Sequence, residues 1–123
     1  MQVKLKSLKK SHPLLNKISY FQFDNLVKNR VPFTLLNLGP SLVPLYSSVY
    51  KAHLENQEIL TDVLHHDQVL SEKKVPKDGA LVLICEDGQK SSKLFIDLEK
   101  KAYTNVYLVD GGYQQLMTKR SEA

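Results

Sequence analysis

The run Ala80-Leu81-Val82-Leu83-Ile84 has no polar side chain, and the turn cluster Pro76-Lys77-Asp78-Gly79 stands directly in front of it. An unbroken apolar stretch of that length suits a strand buried on both faces and is too short for an ordinary helix. Two further runs read the same way. Phe33-Thr34-Leu35-Leu36-Asn37-Leu38 lies between the helix-breaking pair Val31-Pro32 and Gly39-Pro40, and Val106-Tyr107-Leu108-Val109 is stopped by Asp110-Gly111-Gly112. Glu58-Ile59-Leu60 has the length of a brief additional strand.

Between these runs the apolar period becomes helical. Ser19 and Gln22 fit a capping box and Ile18 with Phe23 its hydrophobic staple, after which Phe23, Leu26 and Val27 continue one apolar face to about Asn29. Thr61 or Asp62 is placed to cap a helix carrying Val63 and Leu64, with Val69 and Leu70 farther along. Leu94, Phe95 and Leu98 share one face of a helix from about Ser91 to Lys101, with lysines in its last turn where the helix dipole favours them. Tyr113, Leu116 and Met117 predict a short closing helix. From Ser41 to His53 no clean period emerges, because Pro44 interrupts a mixture of small, apolar and tyrosine residues.

Strands alternating with helices predict an α/β fold, a mostly parallel central sheet flanked by helices on both faces, with the ligand crevice at the carboxyl ends of the strands. A chain of 123 residues, 42% hydrophobic and 24% charged, buries one core. The expected organisation is a basic N-terminal extension over residues 1–17, in which Val3 and Leu5 could add an edge strand, one domain over 18–118, and a tail over 119–123.

The formal charge of +4 comes partly from the ends, with Lys4, Lys6, Lys9 and Lys10 in front and Lys119 and Arg120 behind. Such clusters read as solvated tails. No aromatic residues interleave them as a nucleic-acid surface would need, so neither nucleic acid nor membrane is expected as a partner. The N-terminus alternates Val3, Lys4, Leu5, Lys6 where an export signal would run unbroken, and no segment approaches a membrane span. A single cysteine forms no intrachain disulfide, and the expected location is the cytoplasm.

That cysteine, Cys85, directly follows the central apolar run and precedes Glu86-Asp87-Gly88-Gln89-Lys90-Ser91. One thiol therefore stands where a buried strand opens into a loop whose amides can face an anion. A thiolate is the reactive form, although a lone cysteine also serves as a small buried hydrophobe. Gly88 is placed to supply a positive φ or simply to make a turn; Lys90 either neutralises an incoming anion or is solvated; Ser91 is suited to cap the helix that follows. A cysteine phosphatase would carry an arginine where Ser91 stands, and Lys90 cannot reproduce its forked grip on phosphate. His12, His53, His65 and His66 include no His-x-x-x-His spacing, so no metal site and no cofactor are expected, and His53 reads as structural.

With Cys85, Gly88, Ser91, Tyr103, Val106 and Asp110-Gly111-Gly112 in view, the chain resembles the single-domain rhodanese-like sulfurtransferases across roughly Ile18 to Met117. Leu35-Leu36-Asn37 and Ala52-His53-Leu54 fit earlier landmarks more loosely. The sequence departs from the family at Asn37-Leu38-Gly39, where an Asp-x-Arg pair is usual, and at Leu116, where tryptophan is common. Glu86 and Asp87 also make the front of the loop acidic. The resemblance implies that Cys85 takes a sulfane sulfur from a small donor such as thiosulfate, holds it as a persulfide within the 86–91 loop, and passes it to a thiol or protein acceptor. A second reading, fed by Asn37, Gly39, Glu86 and Asp87, is a catalytically weak module that binds a protein partner or senses oxidants. Oligomeric state is left open.

Overall fold

The three apolar runs form the middle of a five-stranded sheet. In the computed structural model, which describes residues 16–122 with side chains through Lys119, they are β2 (Thr34–Asn37), β4 (Leu81–Ile84) and β5 (Val106–Val109). β1 (Lys17–Ile18) and β3 (Glu58–Leu60) complete the order β1-β5-β4-β2-β3, and every pairing is parallel. The expected edge strand at Val3 and Leu5 lies outside the described residues.

Helices α1 (Tyr20–Lys28), α2 (Ser48–Gln57), α3 (His66–Glu72), α4 (Gln89–Lys100) and α5 (Gly112–Glu122) connect or follow the strands. Successive strand residues point to opposite faces, so the sheet feeds two cores. Leu35, Val82, Ile84 and Val109 meet Phe23 and Val27 of α1, Leu54 of α2 and Leu116 of α5 on one face. Leu36, Leu81, Leu83 and Leu108 meet Leu70 of α3 and Leu94, Phe95 and Leu98 of α4 on the other.

The α1 start follows the sequence closely. Ser19 Oγ accepts from Gln22 N–H, and the Gln22 side chain accepts from Ser19 N–H, closing the capping box. The α3 start moves. Asp62 does not cap a helix; its Oδ1 accepts from His65 N–H at 2.9 Å and closes a turn over Val63–His65, so α3 begins at His66. Val63 and Leu64 are consequently exposed, and the buried contact comes from Leu70. The poorly periodic segment becomes a 3-10 turn at Val43–Leu45, with Pro44 near its start, followed by α2, in which Leu54 alone is buried. Among the described residues no helix is long and apolar enough to cross a membrane.

Parallel register brings the carboxyl ends of β2, β4 and β5 side by side. Leu36 pairs with Leu83 and Leu83 with Leu108, so Leu38, Cys85 and Asp110 all leave the sheet at one rim.

Candidate active site

Cys85 is the first residue beyond β4 and is 1% exposed. Its Sγ accepts from Gly88 N–H at 3.0 Å and from Ser91 N–H at 3.3 Å, and it lies 3.4 Å from Ser91 Oγ. The loop curls around the sulfur because Gly88 adopts φ +93°, a left-handed conformation that costs a residue with a side chain but not glycine. Two amide protons and the amino end of α4 thus point at one sulfur, an arrangement that stabilises a negative charge there.

Ser91 does not cap α4. Gly88 takes the cap position instead and the Asp87 carboxylate accepts from Gln89 N–H at 3.0 Å, so the helix begins at Gln89 and Ser91 falls inside its first turn, 1% exposed. Its hydroxyl lies 3.2 Å from Gly88 O as well as near the sulfur. Glu86, Asp87, Gln89 and Lys90 are exposed. Beside the loop lies a cleft of about 450 Å³, walled by Gly88, Ser91 and Gly111 with Asp87, Asp110, Lys17 and Lys93 at its edges. Lys90 does not line it; Lys17 and Lys93 are its cations.

The loop is held from two sides. Behind it, Asn37 is 1% exposed, and its Nδ2 donates to Pro40 O at 2.8 Å and to Glu58 Oε2 at 2.9 Å. The Asn37 Oδ1 accepts from Gly39 N–H, while Glu58 also accepts from Ser41 Oγ and Leu42 N–H. A Cβ on Gly39 would stand 3.3 Å from Glu86 N, tighter than most such contacts. In front, the first amides of α5 reach the loop: Tyr113 N–H donates to Cys85 O at 2.7 Å and Gln114 N–H to Glu86 O at 2.9 Å. Gly112, at φ +67°, permits that approach, because a Cβ there would collide with Cys85 O.

A model of the Rhodanese-like domain matches residues 45–119, a stretch that contains the thiol loop and the double glycine clasping it. The chain belongs to the rhodanese-like domain family. Three solved structures share the rhodanese fold. Reduced CoADR-RHD of Bacillus anthracis is similar over 87% of this chain and 17% of its own, at 21% identity and a TM-score of 0.63. SSP1007 from Staphylococcus saprophyticus is similar over 82% of this chain and 92% of its own, at 13% identity and a TM-score of 0.59. The NAD-dependent persulfide reductase of A. fulgidus is similar over 86% of this chain and 16% of its own, at 19% identity and a TM-score of 0.56. The chain therefore spans about a sixth of the first and third of these proteins. None of the curated proteins matches it.

Among the described residues of the rhodanese-like domain, His53, His65 and His66 bond to groups other than the Cys85 sulfur, and His12 lies outside the described residues. His53 Nε2 lies 3.0 Å from Val31 O and its ring meets Phe33 edge-on, a structural role. His66 sits between α3 and α4 with Asp67, Asp97 and Lys101.

Proposed function

We propose that this rhodanese-like domain is a sulfurtransferase that uses Cys85 as its sulfur carrier. The observation that carries the reading is the convergence of the Gly88 and Ser91 amides on a buried Sγ. The Cys85 thiolate attacks the outer sulfur of a sulfane donor. A new S–S bond forms while the donor's own bond to that sulfur breaks, and the leaving group departs with the electron pair. An acceptor thiolate then attacks the outer sulfur of the Cys85 persulfide, and Cys85 leaves as thiolate. Two displacements replace one harder transfer. The donor is thiosulfate or a persulfide, and the acceptor is a thiol or a protein nucleophile. One structural neighbour is a persulfide reductase, which supports sulfur as the cargo. A cytoplasmic setting suits a lone thiol.

A second reading, a binding or oxidant-sensing module with weak transfer, is favoured by the near-complete burial of Cys85 and by Gly39 in place of the family's arginine. Intact mass separates the two. After incubation with thiosulfate or an organic persulfide the protein gains one sulfur, and Cys85→Ser gains none. No gain from several donors that load a competent sulfurtransferase would leave the second reading standing.

A further inference from the structure

Of the three polar groups that hydrogen-bond the Cys85 sulfur, two are fixed donors. The Gly88 and Ser91 amides give protons and take none, so the Ser91 hydroxyl, 3.4 Å away, is the group in place to receive the S–H of the resting thiol. In that state the hydroxyl's own proton points to Gly88 O at 3.2 Å. A charged sulfur reverses the demand, because it needs donors.

The hydroxyl is free to answer. Gly88 O also accepts from Ser92 Oγ at 2.7 Å and from Ser92 N–H at 3.2 Å, so it stays satisfied when Ser91 turns away. Without that second serine, the turn would strip a part-buried carbonyl of its side-chain donor. Ser91 is 1% exposed and has no other polar use for its hydroxyl than the sulfur and Gly88 O.

We propose that Ser91 is a positioning residue whose hydroxyl switches from Gly88 O to the sulfur as Cys85 ionises, and that Ser92 makes the switch inexpensive by keeping Gly88 O occupied. The assignment deepens the reading of Cys85 as a sulfur carrier and rests on it for its purpose. As the sulfur ionises, its S–H proton leaves to water, and the Ser91 O–H, keeping its own proton, turns from Gly88 O to donate to the thiolate. The thiolate gains a third donor, and hydrogen bonds to a charged acceptor are the stronger kind.

The test titrates the thiolate by its ultraviolet absorbance, with Cys85→Ser as the blank that removes the tyrosine signal. A chain with one cysteine makes the assignment unambiguous. Ser91→Ala is expected to lower the thiolate fraction about tenfold wherever the thiol predominates, and Ser91→Thr to restore it to within about twofold. A purely structural role would lower the melting temperature and leave the titration unmoved, which would overturn the proposal. Ser92→Ala is the second variant, useful even if Ser91→Ala fails to fold, because it leaves every group touching the sulfur in place. It is expected to lower the thiolate fraction about threefold by holding the Ser91 hydroxyl on Gly88 O, and an unchanged titration would overturn the switch. The readout needs no sulfur donor. A wild-type protein that never loads sulfur but shows these shifts would sink the transfer reading and keep the switch.

Discussion

A methyl group at position 112 would strike the Cys85 carbonyl and crowd Gly88 N, and the backbone there already has a left-handed φ. Gly112→Ala is therefore expected to cost about 2–4 kcal/mol, from left-handed strain plus forced displacement of a packed backbone. Urea unfolding measures it, and a loss below about 0.5 kcal/mol would show that the loop gives way freely. Asn37 offers a less intuitive case. The family usually has aspartate at this position, yet here the Asn37 amide donates to Glu58 Oε2 and Pro40 O, two groups that only accept. Asn37→Asp would set a carboxylate against both and is expected to destabilise by about 2–4 kcal/mol. Glu58→Gln in the same chain should recover part of that loss. An Asn37→Asp protein as stable as the parent would mean that the Glu58 side chain swings out to water.

At the scale of elements, α3 and α4 are joined by a charged cluster with a definite pH signature. Lys101 Nζ bonds both oxygens of Asp67, at 2.8 and 2.7 Å, and pairs with Asp97 at 2.9 Å. The hydrogen bond from Lys101 holds the Asp97 carboxyl below its ordinary 3.8, and the bonds to Asp67 and then Asp97 hold the Lys101 ammonium above its ordinary 10.5. The Asp97 contribution is present above the ordinary value and is lost as pH falls through its lowered folded value. That of Lys101 is present below 10.5 and is lost as pH rises through its raised folded value. Both side chains are partly solvated, so each effect is modest. Lys101→Met should flatten both limbs of the stability curve, which unfolding at about pH 3, 7 and 11 would reveal as a smaller spread than in the parent.

The same elements show what the sequence could express. β4 and β5 were legible because unbroken apolar runs have one economical use in a small domain, and α1 because its capping box is local. The α3 start was not, since a carboxylate at Asp62 suits a turn as well as a helix and only the captured His65 amide decides. In the candidate site, the thiol, Gly88 and the amide-lined loop were readable from adjacency alone. The Asn37–Glu58 bonds and the α5 amides on Cys85 and Glu86 join distant segments, and no local pattern announces them.

Across the whole molecule, charge is distributed unevenly: the net charge of +4 coexists with exposed Glu86 and Asp87 immediately after the thiol. These carboxylates oppose an approaching dianion, whereas Lys17 and Lys93 at the cleft edge attract it. Glu86→Gln with Asp87→Asn is expected to speed sulfur uptake from thiosulfate about two- to fivefold, and from a neutral persulfide by less, because solvated charges act through a high dielectric. Added salt should narrow the difference. Stopped-flow rates for both donors would show it, and equal acceleration of both would mean the carboxylates take no part in donor choice. The clasp of α5 on the thiol loop also sets an order of events in the life of the chain. Cys85 leaves the ribosome before Tyr113 and Gln114 do, so in a nascent chain the Cys85 and Glu86 carbonyls lack the amides that clasp them. A product cut short before Gly112 keeps all five strands and leaves the thiol loop with nothing to clasp it from the front.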